Sequence, residues 1–160
     1  MAKDRKSAGL VLYRFRENRL EVLIAHMGGP LWSGKVARGK RGWSIPKGEY
    51  GKGEKPFDAA CREFREETGF DPPGSNLIEL GEVVQGSGKR VLAWALEGDL
   101  DPAEARSNMI RIQWPPKSGR FEEFPEVDRV EWVDPEVARD MVIKAQSEFF
   151  DRLEKALESG

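Results

Sequence analysis

The chain has 160 residues, with 26 lysines and arginines against 28 aspartates and glutamates, and 39% hydrophobic residues. This composition is typical of a globular domain and excludes a disordered chain, an integral membrane protein and a basic nucleic-acid coat protein. We expect one domain over residues 1–160, with no membrane or nucleic-acid partner. Its first residues lack the apolar stretch of a secretory signal, so we expect a cytoplasmic location.

The N-terminal quarter of the chain predicts a β-hairpin followed by a loop. Apolar residues alternate over 8–15 and 20–25 around a turn at 17–19, which is the pattern of two antiparallel strands. We expect a glycine-rich loop over 27–42 and a short strand over 43–45 that Pro46 ends. Between 35 and 52 the basic residues alternate with glycines, which predicts a flexible, phosphate-binding loop. These residues are Lys35, Arg38, Lys40, Arg41, Lys47 and Lys52.

The rest of the chain predicts an α+β protein. A helix is expected over 57–68, since Pro56 suits its first position and Gly69 suits its C-cap. The other predicted elements are strands over 77–85, 90–97, 109–113 and 130–133, a Pro/Gly-rich loop over 115–126, and a last helix from Pro135, capped by Asp134, to about Leu157.

Three glutamates of the predicted 57–68 helix favour a metal site. Glu63, Glu66 and Glu67 lie within about 100° of one another on the helical wheel, opposite the apolar stripe that contains Phe64. Their carboxylates repel one another unless a hard divalent cation such as Mg²⁺ lies between them. Arg62 is close enough to pair with Glu66. The alternative is a solvated acidic face with i,i+4 ion pairs.

The segment that contains this helix matches a known signature. Residues 48–70, GEYGKGEKPFDAACREFREETGF, fit the pattern GX5EX7REUXEEXGU, where U is an apolar residue. The chain therefore resembles the Nudix hydrolases. The resemblance implies an α/β/α sandwich with a mixed β-sheet flanked by helices, and an enzyme that hydrolyses a pyrophosphate linkage in a nucleoside diphosphate linked to another group.

The resemblance also implies residue roles. Glu63, Glu66 and Glu67 would bind Mg²⁺, or Mn²⁺ in its place, helped by a main-chain carbonyl near Lys47 or Gly48. Arg62 would orient these glutamates, and Glu54 would support the loop, for example through an ion pair with Arg62. Glu63, Arg62 and Glu66 are thus the expected catalytic residues. The base that accepts the proton of the attacking water is either Glu63 or one of three later glutamates, Glu122, Glu123 and Glu126.

The substrate is expected to be a small nucleotide with a phosphate chain. The segment Trp43-Ser44-Ile45-Pro46-Lys47-Gly48 is similar to that of dinucleoside polyphosphate and diphosphoinositol polyphosphate hydrolases. We expect phosphate contacts from five residues, Lys47, Gly48, Arg38, Lys40 and Arg41. A nucleoside triphosphate or an inositol pyrophosphate is the alternative substrate, and a non-catalytic nucleotide-binding module is the alternative function. The sequence leaves open whether the protein is a monomer or a homodimer.

Overall fold

The computed structural model describes residues 5–159, and residues 1–4 and Gly160 lie outside the described residues. Residues 1–4 belong to the segment that suggested a protein without an export signal. The strands are β1 (Lys6–Arg16), β2 (Arg19–Met27), β3 (Trp43–Ser44), β4 (Lys47–Glu49), β5 (Ile78–Val84), β6 (Arg90–Glu97), β7 (Met109–Gln113), β8 (Phe121–Pro125) and β9 (Val127–Val133). The helices are α1 (Pro30–Ala37), α2 (Pro56–Thr68), α3 (Pro135–Met141) and α4 (Ser147–Ser159), with short 3-10 turns at Pro102–Glu104 and Lys144–Gln146.

Seven of these strands form one mixed sheet. Its central order is β3-β2-β1-β6-β5, with β4 also paired to β1 and β9 to β2, while β7 and β8 form a separate two-stranded sheet. Strands β1 and β6 are parallel, and the other pairs are antiparallel. Because β4 and β6 both pair with the first half of β1, that end of the sheet gathers three distant parts of the chain.

Helices cover both faces of the large sheet. Alternate residues of β1 point to opposite faces, so Leu10 packs in the same core as Phe64 of α2, whereas Val11 packs in the same core as Phe149 and Leu153 of α4. The α/β/α sandwich with a mixed sheet is therefore confirmed. Within residues 5–159, no helix combines the length and the apolar character that a membrane crossing requires.

The predicted loop over 27–42 is wrong in its middle, where Pro30–Ala37 forms α1. Pro30 suits the first turn of a helix, because the N–H that it lacks would have no partner there. None of the helix residues is buried, so the sequence shows no apolar stripe that would distinguish the helix from a loop. The basic stretch 35–52 is consequently not one flexible loop, since it contains the end of α1, β3 and β4.

The predicted last helix is also wrong, because it is divided into α3 and α4. Val142 forms a β-bridge with Trp43, and the N–H of Ile143 donates to the Trp43 carbonyl at 3.0 Å. Pairing with β3 thus gives the N–H of Ile143 a hydrogen bond that a continuous helix would otherwise supply. Asp134 occupies the expected N-cap position without a side-chain capping hydrogen bond.

The predicted loop over 115–126 contains strand β8, which pairs with β7 along its whole length. The pairing runs from Met109 opposite Pro125 to Gln113 opposite Phe121. Glu122 and Glu123 therefore lie in a strand, and only Glu126 follows it, between β8 and β9.

Replacing Gly69 at the end of α2 with alanine is expected to destabilise the protein. Gly69 has φ +79°, and a Cβ there would lie 2.8 Å from the carbonyl oxygen of Arg106. The left-handed conformation alone costs a residue with a Cβ about 1–2 kcal/mol, and the contact adds to this. Urea unfolding should show the loss for Gly69→Ala, and no loss for Gly74→Ala, where a Cβ meets no atom within 4 Å. Equal stability of the two variants would contradict a requirement for glycine at position 69.

Candidate active site

Helix α2 carries the predicted glutamates and is fixed at both ends. Pro56 opens the helix, and Gly69 ends it in the left-handed conformation. Glu63 and Glu67 are only 7% and 4% exposed, although the helical wheel places them opposite the apolar stripe. The reason is that α2 contacts β1, β4 and β9, so the chain covers the helix on more than one side. Glu63 and Glu67 are therefore buried rather than on a solvated face, whereas the Glu66 side chain is 38% exposed.

Gly48 allows β4 to approach this helix closely. A Cβ on Gly48 would lie 2.0 Å from Cδ of Glu63 and within 2.3 Å of both its carboxylate oxygens. No side chain fits in that space, so the glycine lets the Glu63 carboxylate lie against the backbone of β4. This contact gives a physical reason for glycine at the first position of the signature.

Arg62 connects the glutamates of α2 with the preceding loop. Its Nε and Nη2 donate to the two carboxylate oxygens of Glu54 at 2.8 and 3.0 Å. Its Nη1 donates to Glu63 at 2.7 Å and lies 3.3 Å from both oxygens of Glu66. The hydrogen bond with Glu54, followed by the contacts with Glu63, raises the pKa of Arg62, and the same hydrogen bond lowers the pKa of Glu54. The ion pairs suggested by the sequence are thus present.

A third carboxylate reaches the site from the other side. Ligand oxygens of Glu63, Glu66 and Glu126 lie within 4.8 Å of one another, a separation that suits oxygen ligands around a divalent cation. Glu67 lies beside this trio, close to Glu63 and to Lys47, and each of these neighbours affects its pKa. The sequence expected Glu67 as the third ligand, whereas the geometry brings in Glu126, which it considered only as a base.

Burial makes these carboxylates harder to ionise. It raises the pKa of Glu67 well above its ordinary value of 4.5, and the charges of Glu126 and Glu63 raise it further. Burial likewise raises the pKa of Glu63, against the hydrogen bond from Arg62, and burial and the charge of Glu63 raise that of Glu126. Without a cation the cluster therefore holds protons that exposed glutamates would have lost, and a cation would favour the ionised form.

Lys47 lies against the carboxylates, where the sequence expected it. Burial lowers its pKa to about 8, and the nearby charge of Lys89 lowers it as well, whereas Glu67, Glu49 and Glu63 raise it. The side chain of Lys89 is 18% exposed, and its Nζ lies 3.6 Å from Oε2 of Glu49. Lys47 thus lies next to the carboxylates with Lys89 near it, and two neighbouring ammonium groups are suited to a phosphate chain.

The other expected phosphate contacts have different surroundings. Arg41 donates through Nη1 to the carbonyls of Arg139 and Val142, at 2.9 and 3.1 Å, and so holds the end of α3. Arg38 and Lys40 are exposed at the end of α1 and in the following turn. The structure therefore brings Lys47 and Gly48 to the carboxylates but directs Arg41 elsewhere.

Sequence reasoning missed two residues of the site, Lys89 and Asn108. Lys89 comes near Lys47 only because β6 is parallel to β1, which brings the start of β6 to the same end of β1 as β4, on the opposite edge of that strand. Asn108 precedes β7, and its backbone N–H donates to the Glu66 carbonyl at 2.7 Å. Neither belongs to the 48–70 signature, and no local pattern indicates long-range contacts of this kind. Only the sheet order could have identified Lys89.

A groove of about 1140 Å³ lies away from the carboxylates. It is lined by Arg14 and Trp132, among others, but by none of the four glutamates Glu63, Glu66, Glu67 and Glu126. Arg14 lies 4.1 Å from the centre of the Trp132 ring and pairs with Glu21 and Asp99. The hydrogen-bonding groups of Arg14 are engaged within the protein, so we place the chemistry at the carboxylates.

Comparisons with known proteins identify the family of the chain. The family model of the NUDIX domain matches residues 3–153. An RNA pyrophosphohydrolase of Rhizobium meliloti is 31% identical over 134 residues, which cover 69% of this chain and 74% of that protein. Another, of Agrobacterium fabrum, is 25% identical over 158 residues, covering 82% and 85%. The crystal structure of a C. elegans Ap4A hydrolase binary complex aligns with a TM-score of 0.64 at 20% identity, covering 96% of this chain and 99% of that one.

The protein has a mixed sheet between helices, and buried carboxylates lie next to lysines. Its relatives act on pyrophosphate bonds. Together these observations define a pyrophosphohydrolase. The family model covers nearly the whole chain. The chain therefore belongs to the Nudix family, and the resemblance and the enzyme class expected from residues 48–70 are confirmed. The Ap4A hydrolase structure, at its low identity, supports the fold alone.

Gly48→Ala is expected to disable the site, because the new Cβ would occupy the space of the Glu63 carboxylate. Displacement of a catalytic group by about 1 Å costs on the order of 100-fold in rate, and metal affinity should fall with it. Turnover and Mn²⁺ titration should both show the loss. Gly51→Ala, at a position where a Cβ meets nothing within 4 Å, is the matched control. Full activity of Gly48→Ala would refute the close packing of β4 against Glu63.

The stability of the metal-free protein should depend on the protonation of Glu67. Its pKa is higher in the folded state than the ordinary 4.5, so the folded protein binds more protons and loses stability as pH rises from 4.5 through the folded-state value. Glu67→Gln removes this titration, and the free energy of unfolding should then fall less steeply with pH. Urea unfolding in EDTA from pH 4.5 to neutrality measures it, with exposed Glu158→Gln as control. Identical slopes for wild type and Glu67→Gln would contradict the buried carboxyl.

Proposed function

We propose that this protein hydrolyses dinucleoside polyphosphates or similar nucleotides with Mg²⁺, or Mn²⁺, as its ion, and that residues 1–160 act as one Nudix domain. The observation that carries the proposal is the trio of carboxylates within 4.8 Å, beside Lys47 and Lys89. Carboxylate oxygens are the ligands that Mg²⁺ prefers. Ammonium groups bind phosphate oxygens as point charges. The carboxylates would bind the ion, and the ammonium groups would bind the phosphate chain.

The proposed reaction is attack of water on a phosphorus atom of the pyrophosphate. The bond from the water oxygen to phosphorus forms as the bridging P–O bond breaks, the leaving phosphate takes the electron pair, and a carboxylate takes the water proton. The divalent ion supplies charge neutralisation and makes water more acidic. Arg62, held by Glu54, keeps Glu63 and Glu66 in place for the ion, and Lys47 offsets the charge of the leaving phosphate.

Among the candidate bases, the geometry favours Glu126. Glu122 and Glu123 lie in strand β8 and are exposed, whereas Glu126 reaches the trio. The Glu63 carboxylate accepts a 2.7 Å hydrogen bond from Arg62, which weakens it as a proton acceptor. Burial raises the pKa of Glu126, which brings it closer to that of an effective base at neutral pH. We therefore assign the proton transfer to Glu126, which would also bind the ion through its other carboxylate oxygen together with Glu63 and Glu66, with Glu67 beside Glu63.

A second candidate substrate is the 5′ end of an RNA. The relatives from Rhizobium meliloti and Agrobacterium fabrum are named RNA pyrophosphohydrolases, and their matches cover most of this chain. The chemistry at phosphorus is the same for both substrates, because each presents a phosphoanhydride to the ion. The two substrates differ in the group attached beyond the first nucleoside, which is a second phosphate-linked nucleoside in one case and a polynucleotide in the other.

A substrate panel with Mg²⁺ tests the proposal. It contains dinucleoside polyphosphates, nucleoside triphosphates, an oligoribonucleotide with a 5′-triphosphate, nucleotide sugars and an inositol pyrophosphate. We expect the highest kcat/KM for a dinucleoside polyphosphate. Preference for the triphosphorylated RNA would favour the second candidate. An inert panel with both Mg²⁺ and Mn²⁺ would contradict the proposed ions and substrates.

Replacing a ligand carboxylate by an amide should abolish most turnover without unfolding the protein. Glu66→Gln and Glu126→Gln keep the side-chain shape but remove a charge from the trio. We expect turnover to fall by about 100-fold or more, in the range of a lost general base or metal ligand. Exposed Glu158→Gln should match wild type. Wild-type turnover by Glu126→Gln with loss in Glu63→Gln would transfer the role of base to Glu63.

A further inference from the structure

The segment 106–108 connects the end of α2 to Glu126. The N–H of Arg106 donates to the Thr68 carbonyl at 2.8 Å, and the N–H of Asn108 donates to the Glu66 carbonyl at 2.7 Å. Carbonyls at the end of a helix have no partner within the helix, so these contacts satisfy groups that would otherwise need water. On its other side the segment accepts at the Asn108 carbonyl, at 3.0 Å, from the N–H of Glu126. One residue, Asn108, thus contacts both the helix and the loop glutamate.

The side chain of Asn108 makes a second connection between the same two elements. With its amide nitrogen directed at them, it lies 2.8 Å from Oε1 of Glu126 and 3.2 Å from the carbonyl oxygen of Glu66. Both neighbours are acceptors, so the nitrogen and not the amide oxygen must face them. The amide therefore holds the Glu126 carboxylate by a hydrogen bond that adds no charge to the cluster.

Gly28 restrains Glu126 from the opposite side. Its N–H donates to the Glu126 carbonyl at 2.9 Å, and a Cβ on Gly28 would lie 2.3 Å from the Pro125 carbonyl oxygen. The backbone of Glu126 is consequently fixed at its N–H by Asn108 and at its carbonyl by Gly28. Asn108 is the residue that also fixes the carboxylate.

We propose that Asn108 is a positioning residue that holds the Glu126 carboxylate against Glu63 and Glu66 so that the three bind one divalent cation. The inference rests on the proposed function. Carboxylates within 4.8 Å repel one another, and Glu126, unlike Glu63 and Glu66, has no hydrogen bond from Arg62 among the described contacts. A neutral donor restrains the third carboxylate while leaving the cluster negative enough to attract a cation. A cationic side chain in its place would compete with the ion.

Mn²⁺ binding measured by titration calorimetry tests this role without reference to turnover. The proteins are wild type, Asn108→Ala, Glu126→Gln and the double variant, with Asn108→Leu as a second variant of similar side-chain size. Loss of a partner that orients a metal ligand weakens affinity by about 10- to 100-fold. The matched control is Asn76→Gly, because the Asn76 amide donates to Glu97 at 2.7 Å outside the site and glycine accepts its φ of 51°.

The double variant separates a positioning role from general damage. If Asn108 acts through Glu126, both single variants bind Mn²⁺ about tenfold or more weakly, and the double variant binds no more weakly than Glu126→Gln alone. Wild-type affinity of Asn108→Ala and Asn108→Leu, or additive losses in the double variant, would overturn the role of Asn108 and leave the proposed function standing. Wild-type affinity of Glu126→Gln would overturn both the inference and the assignment of Glu126 to the ion site.

Discussion

The rest of the site depends on one constraint, the repulsion between neighbouring carboxylates. On α2, the positive charge of the Arg62 guanidinium offsets this repulsion. A guanidinium presents five N–H donors in one plane, so Arg62 can bind both oxygens of Glu54 and still reach Glu63 and Glu66. Because Glu54 lies in the loop before the helix, the same side chain fixes the loop to the helix. The carboxylates are therefore held in position in the metal-free protein. An ion that binds them would lose little free energy to ordering the side chains.

The backbone approaches that surround this network require glycine at particular positions. Gly48 leaves room for the Glu63 carboxylate, and Gly28 leaves room for the Pro125 carbonyl before Glu126. Gly9 does the same in β1, where a Cβ would lie 2.6 Å from the Pro46 carbonyl and 2.7 Å from Cβ of Lys47. Each glycine lets one segment pack directly on another, so β4 and the Glu126 loop can both reach α2. A site built from three distant segments thus depends on missing side chains as much as on the charged ones.

The parts that could be predicted from the sequence are those with local causes. Periodicity and end signals suffice for α2, because Pro56, the apolar stripe around Phe64 and Gly69 all lie within the helix or next to it. Helix α1 was not predicted, because it buries none of its residues and so shows no apolar stripe in the sequence. The division of the last helix depends on pairing of Val142 with Trp43, nearly a hundred positions away in the chain. Glu126 and Lys89 join the site through strand order, which the signature of residues 48–70 does not contain.

Burial shifts the pKa values of the acids and of the lysine of this site in opposite directions. It raises the pKa of Glu67, Glu63 and Glu126 and lowers that of Lys47 to about 8, so in the metal-free protein both kinds of group move toward their neutral forms. A divalent cation would displace protons from the carboxylates and would also bring its own positive charge, so ion binding leaves no net negative charge that would raise the pKa of Lys47. The charged ammonium is the form that binds phosphate. With a pKa of about 8, Lys47 is mostly charged at neutral pH, so the ammonium and an ion held by the carboxylates can together offset the negative charge of a phosphate chain.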